Sequence, residues 1–167
     1  MLFRQVELPG EATGALFLHS MPGRSERLAD AYAAFEDQRI TRVICLARRD
    51  EIEWAFPGYV EDLKRGSAPL PVQECPVRDR HAPDDPEAFV QVVQGTACDL
   101  VAGARVLVHC FAGHGRTGMF ATCVIMALGQ SRGDAEARVE TAGSKWESHE
   151  QDEFLRWAEQ VLQAEQA

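Results

Sequence analysis

The 167-residue chain has no long apolar run, and no window approaches the roughly 18 uninterrupted apolar residues that a membrane-spanning helix needs. Its first residues lack the apolar core of a signal peptide and carry Glu7 and Pro9 early. We therefore expect neither a transmembrane segment nor a secretion signal, and the expected location is the cytoplasm.

Positive charge is also in short supply. The 17 Lys and Arg residues against 26 Asp and Glu residues give a formal net charge of −9 at pH 7. Nonspecific binding to duplex nucleic acid and docking on anionic lipid both favour the opposite sign. We therefore expect neither a nucleic-acid partner nor a membrane partner.

Cysteine is too scarce for a disulfide scaffold. The chain has 5 cysteines, an odd number, and no two of them have the CxxC spacing of many zinc and redox sites. A reduced cytosolic protein with one functional thiol is the better interpretation. Four cysteines lie in apolar sequence and are expected in the core: Cys45, Cys75, Cys98 and Cys123.

Repeats, low-complexity segments and linkers are absent, so residues 1–167 are expected to form a single domain. Aliphatic and β-branched segments predict buried strands over 15–19, 42–46, 72–77 and 105–109. Apolar residues at spacings of three and four predict helices over 24–38, 85–101, 117–128, 133–141 and 149–162. Strands separated by helical crossovers indicate an α/β fold with a central, mostly parallel sheet flanked by helices. In such sheets, ligands bind beyond the carboxyl ends of the strands.

The segment after the last predicted strand has the features of an anion site. Cys110 ends the strand, a glycine-rich loop follows, and Arg116 stands at the start of an apolar helix. Successive N–H groups of such a loop converge on an anion, and the helix N-terminus adds partial positive charge. A thiol held over this nest is expected to be a thiolate at neutral pH. The residues expected to bind phosphate are Phe111, Ala112, Gly113, His114, Gly115 and Arg116.

Individual side chains of this segment suit phosphoryl chemistry. The planar guanidinium of Arg116 matches two oxygens of a phosphoryl group in a way that lysine does not. Gly113 and Gly115 permit the positive φ values and the close approach that a cradle needs. The hydroxyl of Thr117 is able to donate a hydrogen bond to the sulfur and so ease its departure.

The sequence HCFAGHGRTG over residues 109–118 resembles the HCxxxxxR(S/T) signature of the cysteine-dependent protein tyrosine phosphatases. Flanking segments are similar, in the same order, to the compact dual-specificity type, particularly the branch typified by the cyclin-dependent-kinase-associated phosphatase. These segments are 18–23, 43–46, 50–52, 75–79 and 82–84, within a resemblance that covers residues 16–155. Arg80 and His81 depart from that branch, which has two glycines after the acid.

The resemblance implies two-step hydrolysis of phosphate monoesters without a metal or another cofactor. Cys110 attacks phosphorus to form a phosphocysteine, while Arg116 and the loop amides stabilise the transferring group. Asp79 protonates the leaving oxygen and then activates water, and Gln151 corresponds to a glutamine that orients this water. The implied enzyme is a monomer with a shallow pocket, which accepts phosphotyrosine and also phosphoserine and phosphothreonine.

Two acids compete with Asp79 for the role of proton donor. Asp84 and Asp85 both precede Pro86 and Glu87, which is typical of a helix N-cap. Asp79 has no such structural explanation and ends a strand-like run, so it is the preferred acid.

A metal site formed by His109, Cys110 and His114 is the local alternative to the nucleophile. Adjacent strand residues point to opposite faces, so His109 and Cys110 do not easily share one ion. We expect His109 to support the loop through hydrogen bonds and His114 to lie on an exposed rim.

Three other functions compete with protein dephosphorylation. The same chemistry on a phosphoinositide, sugar phosphate or nucleotide is one of them, although the loop has no lysine to meet extra phosphates. A phosphoprotein-binding module with little activity is a second, although the cysteine, the arginine and the acid are all present. A rhodanese-like sulfurtransferase or an arsenate reductase is the third, and it also uses a cysteine loop.

Overall fold

A computed structural model describes residues 1–10 and 12–166, in which five strands form one sheet and seven helices pack around it. The strands are β1 (Arg4–Val6), β2 (Ala15–His19), β3 (Arg42–Cys45), β4 (Val72–Glu74) and β5 (Arg105–His109). The helices are α1 (Leu28–Asp37), α2 (Arg49–Ala55), α3 (Pro57–Arg65), α4 (Pro86–Val101), α5 (Gly115–Ala127), α6 (Arg132–Thr141) and α7 (His149–Gln166).

The sheet has the order β1-β2-β5-β3-β4, with β5 at its centre. Strands β2, β5, β3 and β4 run parallel, and only β1 pairs in the antiparallel direction. The predicted α/β fold with a mostly parallel sheet is confirmed. His19, His109 and Cys45 are aligned across three neighbouring strands, so the carboxyl ends of these strands meet at one edge. The predicted anion loop begins at this edge.

Alternate residues of the central strands point into two separate layers of the core. On β2, Leu16 and Leu18 pack with residues of α4, α5 and α7, whereas Phe17 packs with Phe35 of α1 on the other face. Side chains alternate in this way because successive residues of a strand point to opposite faces. Helix α5 is buried from Gly115 to Met126, as its continuous apolar sequence predicts.

Three elements have no counterpart in the sequence prediction: β1, α2 and α3. Strand β1 has only 3 residues. Helix α2 buries only Ile52, and α3 buries only Tyr59 and Val60, so neither has a broad apolar stripe to detect. Helix α1 begins at Leu28 instead of residue 24, because a turn at Gly23, with φ of 90°, precedes it.

The cysteines only partly follow the prediction. Cys45 and Cys123 are buried and Cys75 is half-buried, but Cys98 is exposed, which corrects its assignment to the core. Helix α4 turns Cys98 outward, whereas the preceding residue, Ala97, is buried. All 5 cysteines are free. No helix within residues 1–10 and 12–166 has the length and apolar content to cross a membrane.

Candidate active site

Cys110 lies between the central strand and the buried helix. Strand β5 ends at His109, and α5 begins at Gly115. The Cys110 Sγ accepts a hydrogen bond from the Gly113 N–H at 3.2 Å. The first N–H groups of α5 have no partner inside the helix and add positive potential at this loop. The sulfur therefore lies at the start of the anion loop, within hydrogen-bond distance of one of its N–H groups.

The loop is closely packed against its surroundings at two glycines. Gly113 has φ of 78°, and a Cβ there would lie 2.4 Å from the His19 carbonyl oxygen. A Cβ at Gly118 would lie 2.7 Å from the Lys145 backbone. A side chain at either position would clash with its neighbours. The loop therefore packs closely against the end of β2 and the segment that precedes α7.

His109 anchors the loop through hydrogen bonds at both of its ring nitrogens. Its Nδ1 donates to the Cys110 carbonyl at 3.0 Å, and its Nε2 accepts from the Tyr59 hydroxyl at 2.8 Å. Burial lowers the pKa of His109 to about 4, so the ring is neutral at pH 7. His114 is exposed, and its Nδ1 donates to the Gly143 carbonyl at 3.1 Å. The expected support and rim positions of these two histidines are confirmed, and neither ring nitrogen of His109 is free for a metal.

Arg116 is 2% exposed and forms a two-pronged ion pair with Glu51. Its Nη1 and Nη2 donate to the Glu51 carboxylate at 2.8 and 2.9 Å, and Nη1 also donates to the Val77 carbonyl at 2.9 Å. Burial lowers the pKa of Arg116, but its bonds to Glu51 and the charges of Cys110, Glu51 and Asp79 raise it overall. The guanidinium therefore stays charged although it is buried.

Glu51 has no role in the sequence interpretation, although it lies in one of the segments that carry the resemblance. Its Oε2 also accepts the Arg48 N–H at 2.9 Å, at the start of α2. The Glu51 carboxylate therefore caps the first turn of α2 and also pairs with Arg116. The sequence predicted that the guanidinium fork of Arg116 binds a phosphoryl group, but in the structure its two Nη atoms bind Glu51. Arg116 Nε is buried and has no hydrogen-bond partner among the described residues.

Of the three candidate proton donors, Asp79 is the one that the fold brings to Arg116. Its Oδ1 lies 3.3 Å from Arg116 Nη2, and its side chain is 64% exposed. Asp85 accepts the Ala88 N–H at 2.9 Å and caps α4, which confirms its N-cap assignment. The carboxylate of Asp79 is therefore the acid that contacts the anion-loop arginine while staying open to solvent.

The loop that carries Asp79 is fixed by contacts to the segment around the start of α7. The Arg80 Nη2 donates to the Glu147 carbonyl at 3.2 Å, and the His81 Nδ1 donates to the Asp79 carbonyl at 2.7 Å. Arg80 has φ of 61°, a conformation that glycine adopts more easily. Arg80 occupies the first of the two positions at which the branch that the sequence resembles has glycine. Its backbone there has a conformation that suits glycine.

Gln151 and Thr117 are both buried near this network. Gln151 Oε1 accepts the Glu147 N–H at 2.8 Å, while its Nε2 donates to the His81 carbonyl at 3.4 Å. The Thr117 hydroxyl is buried, and no group in residues 1–10 and 12–166 forms a hydrogen bond with it. Gln151 therefore links the loop of Asp79 to the segment before α7.

Phe111, the residue after Cys110, belongs to an aromatic wall. The ring of Phe111 lies 6.1 Å from the ring of Phe56, and the Arg24 guanidinium lies 5.4 Å from the Phe111 ring centre. This wall, made of Phe111, Phe56 and Arg24, offers stacking and cation–π contacts.

Three of the other thiols, those of Cys45, Cys75 and Cys123, are unsuited to nucleophilic attack. Burial raises the pKa of Cys45 to about 12 and the pKa of Cys75 to about 11. Burial raises the pKa of Cys123 as well. A cavity of about 730 Å³, lined in part by Cys98, lies near the far end of α5 and contains none of the expected site residues.

Comparisons with known proteins identify a family that covers most of the chain. The family model described as Swiss Army Knife protein, DSP-PTPase phosphatase domain (PTP-SAK), matches residues 14–165. No curated protein sequence matches the chain.

Solved structures share the fold at low sequence identity. A kinase associated phosphatase with serine in place of its catalytic cysteine aligns with a TM-score of 0.81 and 17% identity, over 97% of this chain and 96% of its own. PTPMT1 aligns with a TM-score of 0.74 and 16% identity, over 98% and 97% of the two chains. Human DUSP28 aligns with a TM-score of 0.68 and 23% identity, over 90% and 94%.

Proposed function

The chain belongs to the DSP-PTPase phosphatase domains of the PTP-SAK family, and from this membership we propose that Cys110 is the nucleophile of a phosphate monoester hydrolase. The observation that carries the proposal is the Gly113 N–H directed at the Cys110 Sγ at 3.2 Å, in a loop that opens into α5. The same loop supplies Arg116, whose charge is maintained by Glu51. We propose that residues 1–167 form one phosphatase domain.

In the first step, the Cys110 thiolate attacks phosphorus and an S–P bond forms as the P–O bond to the leaving group breaks. Asp79 gives its proton to the departing oxygen. The loop N–H groups and Arg116 stabilise the charge on the equatorial oxygens. For this contact, Arg116 Nε is an available donor, because no described residue occupies it.

In the second step, water attacks phosphorus, the S–P bond breaks, and the thiolate is regenerated with inorganic phosphate. Asp79, now ionised, accepts the proton of the water. Thr117 donates its buried hydroxyl to the departing sulfur, a role open to it because the hydroxyl has no partner among the described residues. Gln151 orients the water through Nε2, whose 3.4 Å contact with the His81 carbonyl is long and readily exchanged.

The substrate class that we propose is a phosphorylated protein, with phosphotyrosine preferred and phosphoserine and phosphothreonine also accepted. The aromatic wall of Phe111, Phe56 and Arg24 supports an aryl ester, because a tyrosyl ring bound at Cys110 is able to stack against it. A phosphoinositide is the competing substrate, since a neighbour of the same fold, PTPMT1, was solved in complex with PI(5)P at a TM-score of 0.74.

We further propose that the enzyme works as a monomer in the cytoplasm, without a nucleic-acid, membrane or cofactor requirement. Its five free cysteines suit a reducing compartment. Its net charge of −9 disfavours anionic polymers and anionic lipid surfaces.

The experiment is a panel of phosphotyrosyl, phosphoseryl and phosphothreonyl peptides, phosphoinositides and p-nitrophenyl phosphate, with and without EDTA. Wild type should hydrolyse the aryl esters fastest and be unaffected by EDTA. Cys110→Ser should abolish turnover yet retain substrate binding, because the cradle and Arg116 remain. Substantial turnover by this variant would refute the covalent mechanism, and a phosphoinositide preference would refute the substrate assignment.

A further inference from the structure

Arg4 of strand β1 contacts the anion loop from outside. Its Nη2 donates to the Gly113 carbonyl at 2.6 Å. Its Nη1 donates to the Gly143 carbonyl and, at 3.1 Å, to the Ser144 hydroxyl oxygen. A single guanidinium therefore joins the first strand, the anion loop and the turn after α6.

The Gly113 carbonyl receives a second hydrogen bond, because the Ser144 hydroxyl donates to it at 2.6 Å. In a trans peptide the C=O and the following N–H point in opposite directions. With its carbonyl bound by Arg4 and Ser144 on the outside, the peptide between Gly113 and His114 directs the His114 N–H away from them. That donor then faces the concave side of the loop, where the phosphoryl oxygens would lie.

Arg4 also acts on the loop through its charge. Burial lowers the pKa of Arg4, whereas the charge of Cys110 raises it, so the guanidinium and the sulfur are electrostatically coupled. A guanidinium remains charged at every pH at which the enzyme would be assayed. In a chain of net charge −9, a cation placed beside the nucleophile is a local feature and not part of a general positive field.

We infer that Arg4 is a positioning residue for the phosphate-binding loop: it orients the Gly113–His114 peptide and adds a second permanent positive charge, besides Arg116, close to the Cys110 thiolate. The inference rests on the proposed function, because it assigns Arg4 to the same reaction. A purely structural role, in which Arg4 only anchors β1, is the competing explanation.

The two explanations are separated by Arg4→Met, Arg4→Lys and a matched control, Arg138→Met. Arg138 Nη1 donates to the Glu7 carbonyl at 3.1 Å, so it also anchors the N-terminal segment, but to α6 and away from the loop. Two quantities are measured for each variant: kcat on p-nitrophenyl phosphate, and the pH midpoint of Cys110 alkylation by iodoacetamide, followed on the Cys110 peptide by mass spectrometry.

Arg4→Met should lower kcat by roughly 10-fold to 100-fold, somewhat less than the loss of a whole oxyanion donor. It should also move the alkylation midpoint upward by about one pH unit, because a nearby positive charge is lost. Arg4→Lys should keep the midpoint close to wild type while kcat stays reduced, since an ammonium keeps the charge without the two-pronged contact. Arg138→Met should change neither quantity.

An Arg4→Met variant with the kcat and midpoint of Arg138→Met would overturn the inference. If Arg4→Met does not fold, Ser144→Ala tests the positioning, because it removes one bond to the Gly113 carbonyl and no charge. It should lower kcat and leave the midpoint unchanged, and an unaltered kcat would refute the positioning role. If wild type hydrolyses no phosphate ester, the proposed function fails, while the alkylation midpoints still decide whether Arg4 acts on Cys110.

Discussion

Replacing Glu51 with glutamine should lower both the free energy of unfolding and kcat. Glu51→Gln keeps the size of the side chain but removes the negative charge that faces Arg116 at 2.8 and 2.9 Å. Removing one partner of a fully buried ion pair costs about 3–5 kcal/mol, because the remaining charge is left uncompensated. Here the Glu51 side chain is 24% exposed, and Asp79 remains 3.3 Å from Arg116, so we expect a smaller loss of about 2 kcal/mol.

For a chain of 167 residues, a loss of that size lowers Tm by about 4–8 °C, which differential scanning calorimetry resolves. Inorganic phosphate should raise the Tm of Glu51→Gln more than that of wild type, because a bound anion replaces the missing negative charge beside Arg116. In the same variant kcat should fall, since Arg116 loses the contact that orients it.

Glu53→Gln is the matched control for this prediction. Glu53 lies on the same helix, is 64% exposed and accepts the Lys64 ammonium at 3.0 Å, so its loss should cost less than about 0.5 kcal/mol. If Glu51→Gln had the Tm, the phosphate response and the kcat of Glu53→Gln, the ion pair between Glu51 and Arg116 would have no energetic role and the reasoning would fail.

Arg116→Lys should lower kcat by about 10²-fold or more, because an ammonium supplies neither the two-pronged pair with Glu51 nor the Nε donor proposed for the phosphoryl group, and a near-normal kcat would make Arg116 structural. Asp79→Asn should lower kcat modestly on p-nitrophenyl phosphate and far more on phosphotyrosine, whose leaving oxygen needs a proton. Asp84→Asn should not show this dependence on the leaving group, and the opposite pattern would reassign the acid. Burial lowers the pKa of His109 from 6.5 to about 4. Between these pH values, His109 is therefore protonated in the unfolded state and neutral in the folded state. Stability should therefore fall by about 3 kcal/mol as the pH drops through this range, and urea titrations of His109→Asn should lack that loss.

The central strands, the main helices and the anion loop were predictable from local sequence. The loop residues from His109 to Thr117 are contiguous, so their spacing alone indicates a strand, a turn and a helix start. Most residues of helix α5 after its first turn are apolar, which indicates burial without any knowledge of its neighbours. The sequence also indicated an N-cap at Asp84 or Asp85, because an acid before Pro86 is a local signal, and the structure selects Asp85.

Elements with little buried surface were not predictable in the same way. Helices α2 and α3 have only 7 and 9 residues and bury few side chains, so each offers only a short apolar pattern. Cys98 shows the related limit: its sequence surroundings are apolar, yet it is exposed because helix α4 turns it outward. Apolar neighbours in sequence do not establish which face of a helix a residue occupies.

By itself, the sequence determined the identity and order of the groups in the loop: the thiol, the glycines that allow its tight path, and the arginine at the helix start. Only the tertiary structure decided which distant side chains complete it. Glu51 reaches Arg116 across 65 positions of sequence, and Arg4 reaches Gly113 across 109. Residues so far apart in sequence form no local pattern that could be recognised. They meet only in the folded chain, where β1, α2 and the end of β5 lie close together.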